Sequence, residues 1–212
     1  MITRVWHGRT KTMDAETYRE FVIKTGMTDY ISTKGNLGAQ IWQRHEGDIT
    51  HIWTVSWWKD FESIKAFAGD EIEKAKYYDE DKKYLLEFEP NVMHCETFNF
   101  KSPAELTMVA RIWHGFTTFE NAGSYEKFLK TEFMPAVEKK NIPGYRKFQL
   151  LKKEETDQVA FITIMWFETL EHIKAFAGED YEKAVVHPTA HALLKKYDSH
   201  SQHFELRHEL NY

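Results

Sequence analysis

The chain repeats itself. Arg4-Val5-Trp6-His7-Gly8 returns as Arg111-Ile112-Trp113-His114-Gly115, an offset of 107 residues. Phe61-Glu62-Ser63-Ile64-Lys65-Ala66-Phe67-Ala68-Gly69 returns as Leu170-Glu171-His172-Ile173-Lys174-Ala175-Phe176-Ala177-Gly178, an offset of 109. Glu73-Lys74-Ala75 matches Glu182-Lys183-Ala184, His94 matches His203, and Glu96 matches Glu205. The order is kept while the offset drifts little, so the chain is a tandem duplication of a unit of about a hundred residues. Residues 1–100 and 108–212 are the two repeats. Lys101 to Thr107 reads as a short polar linker broken by Pro103.

Both copies carry the same pattern of elements. A short strand of β-branched and aromatic residues near 2–8 is followed by a helix with Tyr18, Phe21, Val22 and Thr25 at helical spacing. In the second copy Tyr125, Phe128, Leu129 and Phe133 take those places. Two strands come next, joined in the first copy through His45-Glu46-Gly47-Asp48 and in the second through a longer charged loop. A second helix starts after Asp60 or Thr169, either of which can cap it, and stops at Gly69 or Gly178. An acidic stretch with some helical character follows, and the last strand carries His94 or His203.

This β-α-β-β-α-β order is the ferredoxin-like arrangement, an α+β fold. Its sheet has helices on one face only, yet the third strand is apolar on both. Trp53, Val55 and Trp57 alternate with Ile52, Thr54, Ser56 and Trp58; Ile162, Ile164 and Trp166 alternate with Phe161, Thr163, Met165 and Phe167. A half-solvated strand would be polar at every second position. The expectation is that the two units pack sheet to sheet as an intramolecular dimeric α/β barrel. This pseudo-dimer removes the need for a homodimer, though a further chain can still associate as a homo-oligomer.

Composition narrows the function. The balance of 28 Lys and Arg against 33 Asp and Glu gives a net charge of −5 with no basic run, so nucleic acid is not the expected partner. No window approaches the roughly 18 apolar residues of a membrane span, and no secretory leader is visible. The single Cys95 excludes an internal disulfide and a Cys-based zinc cluster. A cytoplasmic protein is expected. Aromatic residues at 15% can line a pocket for a flat ligand, or simply fill two small cores. No phosphate-binding glycine loop, dinucleotide fingerprint, nucleophile elbow or His-Glu-x-x-His motif is present.

The Arg-Val-Trp-His-Gly opening, the Trp57/Trp166 position, the Ile-Lys-Ala-Phe-Ala-Gly helix and the closing His-Cys-Glu or His-Phe-Glu strand resemble the antibiotic biosynthesis monooxygenase family. Tyr77-Tyr78-Asp79-Glu80-Asp81 looks like one branch of it, and Met134-Pro135-Ala136 and Ile142-Pro143-Gly144 fit its passage from first helix to second strand. The resemblance covers nearly the whole chain, once per repeat. It implies small dimeric α/β barrels and, for the oxygenases of the family, catalysis without a metal or organic cofactor. An electron-rich phenol or quinol sits in an apolar pocket between sheet and helices, and its deprotonated form reacts with dioxygen.

Such chemistry needs a base, polar anchors and a dry pocket. His7 and His114 are the candidate bases. Each is followed by a glycine expected to leave room for a ligand. The alternative is a structural histidine bonded to backbone. His94 and His203, with Glu96 and Glu205 on the same side, are either substrate contacts or stitches at the sheet edge. Trp57, Trp166, Phe67 and Phe176 are pocket walls or core plugs. Tyr77 and Tyr78 correspond to Val186 and His187 in the other copy, the largest chemical divergence, which implies two unequal pockets. His187 and His191 have metal-pair spacing, but Pro188 starts a helix between them, so no metal site is expected. A cofactor-free oxygenase of small aromatic, phenolic or quinone-like molecules leads. A non-catalytic ligand-binding or stress-related protein of the same fold follows. Haem degradation comes third. Haem degraders of the family pair a first-strand Asn with a Trp and a His on the second helix. Here those regions offer His7 or His114, Phe67 or Phe176, and Tyr78 or His187.

Overall fold

The computed structural model describes residues 1–99 and 108–210; the expected linker 101–107 lies outside the described residues. Two compact units emerge. One comprises Met1–Glu96 with Glu205–Tyr212, the other Thr97–Phe204.

The first unit runs β1 (Ile2–Lys11), α1 (Ala15–Val22), β2 (Asn36–Glu46), β3 (Ile49–Trp58), α2 (Phe61–Ala68) and β4 (Met93–Phe98). Its sheet order is β4-β1-β3-β2, all antiparallel, which is the ferredoxin-like order. In the second unit the same roles fall to β5 (Val109–Thr117), α3 (Phe119–Phe128), β6 (Tyr145–Glu154), β7 (Val159–Phe167) and α4 (Leu170–Ala177). A short helix α5 (Pro188–Leu193), a two-residue strand β8 (Lys196–Tyr197) and β9 (Gln202–Leu210) complete it. Here β6, β7 and β5 are adjacent, and β8 and the start of β9 lie along the free edge of β5. The later part of β9 belongs to the first unit, where Glu205–Leu210 pairs with β2.

Local signals account for the helices. Asp60 Oδ1 accepts from Ser63 N at 2.9 Å and the Thr169 hydroxyl accepts from His172 N at 3.3 Å, capping α2 and α4. Both helices stop at a glycine in the left-handed region, Gly69 at φ 85° and Gly178 at φ 90°. Ile64 and Ile173, one turn in, are fully buried, and shortening either to alanine costs about 2–5 kcal/mol. The acidic stretch after Gly69 is mostly irregular, with one 3-10 turn at Asp81–Lys83.

The first helix of each unit has a feature that periodicity does not show. After α1 comes a π-helical turn, Ile23–Met27, before α-helix resumes at Thr28–Ser32; after α3 the turn is Leu129–Phe133, with Met134–Lys139 beyond. A π turn widens the helix by one residue and shifts which side chains face the sheet. Pro135 therefore lies inside a helix rather than in the passage to the next strand.

Strand alternation decides the rest. On β1, Arg4, Trp6 and Gly8 face the helices while Val5 and His7 face away; on β3, Ile52 and Trp58 face the helices. The opposite face is buried as well, with Val55 and Trp57, and in the second unit Ile164 and Trp166, all nearly inaccessible. The two-faced apolar pattern thus corresponds to real burial on both sides.

Candidate functional site

Each unit has a cavity between its sheet and its first helix, but the two differ about eightfold in size. The second unit encloses about 340 Å³, the first about 40 Å³. Matching positions line both: Arg4 and Arg111, Trp6 and Trp113, Tyr18 and Tyr125, Val22 and Leu129, Phe67 and Phe176.

The difference comes from the few positions where the repeats diverge. In the first unit Tyr30, Lys76, Tyr78 and Asp81 point into the space. Tyr78 donates to Asp29 at 2.7 Å, and the Lys76 ammonium reaches the same carboxylate oxygen at 2.8 Å. Burial raises the Asp29 pKa, but these two hydrogen bonds outweigh it and hold the carboxyl below its usual range. Tyr18 donates to Asp81 at 2.8 Å, and burial pushes that carboxyl up. This polar clasp fills the cavity. In the second unit the corresponding residues are Val137, Val185, His187 and Ala190, so the clasp is gone and the volume stays open.

The walls of the larger cavity are mostly apolar: Trp113, Phe128, Phe133, Phe148, Met165, Phe176 and Val186 among them. The polar lining is Arg111, Thr163 and Ser201, with exposed Lys140 and His187 as well. The π turn contributes Leu129 and Phe133 directly.

Arg111 is the buried charge of the site, 6% exposed. Its guanidinium donates to the Tyr181 carbonyl, to Lys183 O at 2.9 Å, and to His203 Nε2 at 2.9 Å. Arginine has no acceptor, so His203 Nε2 must accept, which makes that imidazole neutral with its proton on Nδ1. Burial pulls the Arg111 pKa down to about 10. Arg4 repeats the arrangement with Ile72 O, Lys74 O and His94 Nε2, and Glu73 binds the far nitrogen of His94 at 3.1 Å.

The structure places the expected site residues as follows. Phe67 and Phe176 line the cavities, and so do Tyr78 and His187. His187 also caps α5, its Nδ1 accepting from Thr189 N at 3.2 Å, so in its neutral form the ring carries its proton on Nε2. Tyr77 turns aside. It donates to Glu89 O at 2.6 Å and packs edge-on against Phe88. His94 and His203 hold the arginines rather than line the space. Trp57 and Trp166 lie on the sheet face away from the helices, where Trp166 Nε1 donates to Gln149 Oε1 at 2.7 Å. They are not pocket walls.

His7 and His114 also point away from the cavities, because each follows a tryptophan that faces the helices and strands alternate. His7 meets Glu89 at 2.6 Å and His51 at 2.9 Å; His114 meets Asp198 at 2.8 Å. The glycine after each makes room for an indole, not a ligand. A Cβ on Gly8 would lie 2.3 Å from the Trp6 ring. Sequence reasoning left Arg4 and Arg111 without a role, although each opens its repeated motif two residues before a cavity-facing tryptophan, hence on the same face.

No family model and no curated protein matches the chain. Solved structures do. A "putative monooxygenase" from Fusobacterium nucleatum aligns over 99% of this chain and 94% of its own at TM-score 0.64 and 13% identity. An anthrone oxidase-like protein aligns over 99% and 92% at TM-score 0.64 and 12% identity. A structure from Lactobacillus acidophilus with the same monooxygenase description aligns over 99% and 95% at TM-score 0.62 and 12% identity. At such identities the likeness establishes the α+β ferredoxin-like fold that the chain shares with these proteins.

Proposed function

We propose that the chain is a cofactor-independent monooxygenase of the antibiotic biosynthesis monooxygenase type. Its second unit would hold a small aromatic, phenolic or quinone-like molecule. The observation that carries this reading is the open 340 Å³ cavity walled by aromatic side chains. Its volume lies at the small end of the range for small-molecule sites, roughly 300–1,000 Å³. Aromatic walls suit a flat ring, and they keep water from an electron-rich anion that is to meet dioxygen. In the reaction one oxygen atom enters the substrate and the other leaves as water, with the substrate supplying the electrons. The fold's resemblance to monooxygenase-described structures supports the class, and the resemblance in the repeated motifs supports the absence of a cofactor.

The residues divide the work by position. Phe128, Phe148 and Phe176 clasp the ring, Thr163 and Ser201 offer hydroxyls, and Arg111 supplies positive charge at the sheet. His187 is a donor in its neutral form rather than a ready base. That last point favours the second reading, a non-catalytic ligand-binding protein with the same cavity.

Oxygen uptake separates the two. The test is an oxygen electrode with a panel of anthrones, naphthols and quinols. Expected is uptake above autoxidation that Val137→Trp abolishes by filling the cavity. Binding of the panel without uptake would leave the ligand-binding reading in place.

A further inference from the structure

Charge in the larger cavity is one-sided. Among the described residues Arg111 and Lys140 line it, and no aspartate or glutamate does. The three acceptors of Arg111 are two carbonyls and a neutral imidazole, and among the described residues it forms no ion pair. The matching cavity of the first unit has a carboxylate in its lining, Asp81. A buried cation held only by neutral groups lacks the partner that usually offsets its loss of water. A ligand anion in the cavity would supply it.

We infer that the second-unit cavity takes its ligand as an anion, a planar aromatic molecule carrying one acidic oxygen group set against Arg111. This deepens the reading above and rests on its cavity, but not on its chemistry. Apolar walls bind the ring of a charged and a neutral ligand alike, so the choice between them falls to the arginine. A guanidinium attracts an anionic oxygen more strongly than a neutral one, and the low dielectric of an apolar cavity enlarges that difference. Selecting the anion also removes the need for a base in the pocket, because the ligand arrives deprotonated.

The test compares three probes of one shape: 2-naphthoate, 2-naphthamide and 2-naphthylmethylammonium. Binding is followed by calorimetry on the full chain at pH 7.5. Expected is an order of naphthoate, naphthamide, ammonium, with the anion at least about tenfold tighter than the amide. Equal affinities for acid and amide would overturn the inference without any variant being made. Arg111→Lys should keep the order and Arg111→Met should erase it. Lys140→Gln, at the exposed rim, should leave it intact. If Lys140→Gln erases the order, the anion is held at the rim and the assignment to Arg111 fails. The oxygen-uptake experiment fails independently. Naphthoate preference without uptake would remove the oxygenase reading and keep this one; uptake without preference would do the reverse.

Discussion

The Tyr78 hydroxyl stands 2.7 Å from Asp29, and that hydrogen bond closes in the first unit a space the second unit leaves open. The repeats thus share a frame but not a site. One ligand should bind per chain. Replacing Lys76 with Val and Tyr78 with His, the residues of the second copy, should add a weaker second site. Calorimetric stoichiometry rising from one toward two would show it. A stoichiometry of two in the unaltered protein would rule out the clasp as a plug.

A pH dependence follows from His51. Burial, together with the positive charge of Arg44, lowers its pKa below the ordinary value of about 6.5. The folded state then binds fewer protons than the unfolded one. Stability is fully present above the unfolded pKa and is lost as pH falls below it toward the folded pKa. Denaturant unfolding should give a lower midpoint at pH 5.5 than at pH 7.5, and His51→Gln should reduce that difference.

Glycine at position 8 is a packing requirement. A methyl group there would overlap the Trp6 indole at 2.3 Å, while at Gly115 the nearest atom is the tip of Leu194 at 2.9 Å. Gly8→Ala should therefore destabilise by about 1–3 kcal/mol, the usual cost of overpacking. Gly115→Ala should cost less, because a leucine methyl moves more readily than an indole. Urea midpoints of the two variants decide it.

Replacing both His7 and His114 with alanine should leave naphthoate binding unchanged, since neither ring faces a cavity. The loss should appear in stability instead, through the contacts to Glu89, His51 and Asp198. Loss of binding in a folded double variant would restore these histidines to the site.

Much of the frame was legible because it is written locally. The caps at Asp60 and Thr169 and the stops at Gly69 and Gly178 act within a few residues. The alternation along β3 and β7 has a fixed period of two. The recurring motifs helped, since each element could be checked against its counterpart. The site was less legible. Phe67, Phe176, Tyr78 and His187 line the cavities, and they sit on an inward helix stripe or at the point of divergence. His7 and His114 were misplaced by one residue of alternation, which reverses a strand side chain from one face to the other. The π turns left no mark in the apolar spacing.

Arg111 marks the boundary between the two kinds of information. Its strand and its facing follow from neighbours, since Arg111 and Trp113 lie two apart on an extended chain. Its role does not, because its partners Tyr181, Lys183 and His203 lie 70 to 92 residues further along. The repeat, the element order and the two-sided burial of β3 and β7 depend on short-range stereochemistry and periodic polarity. Which repeat keeps an open cavity depends on Val137, Val185, His187 and Ala190 converging in space. Only packing settles that, because side-chain volume, not pattern, decides whether a space is filled.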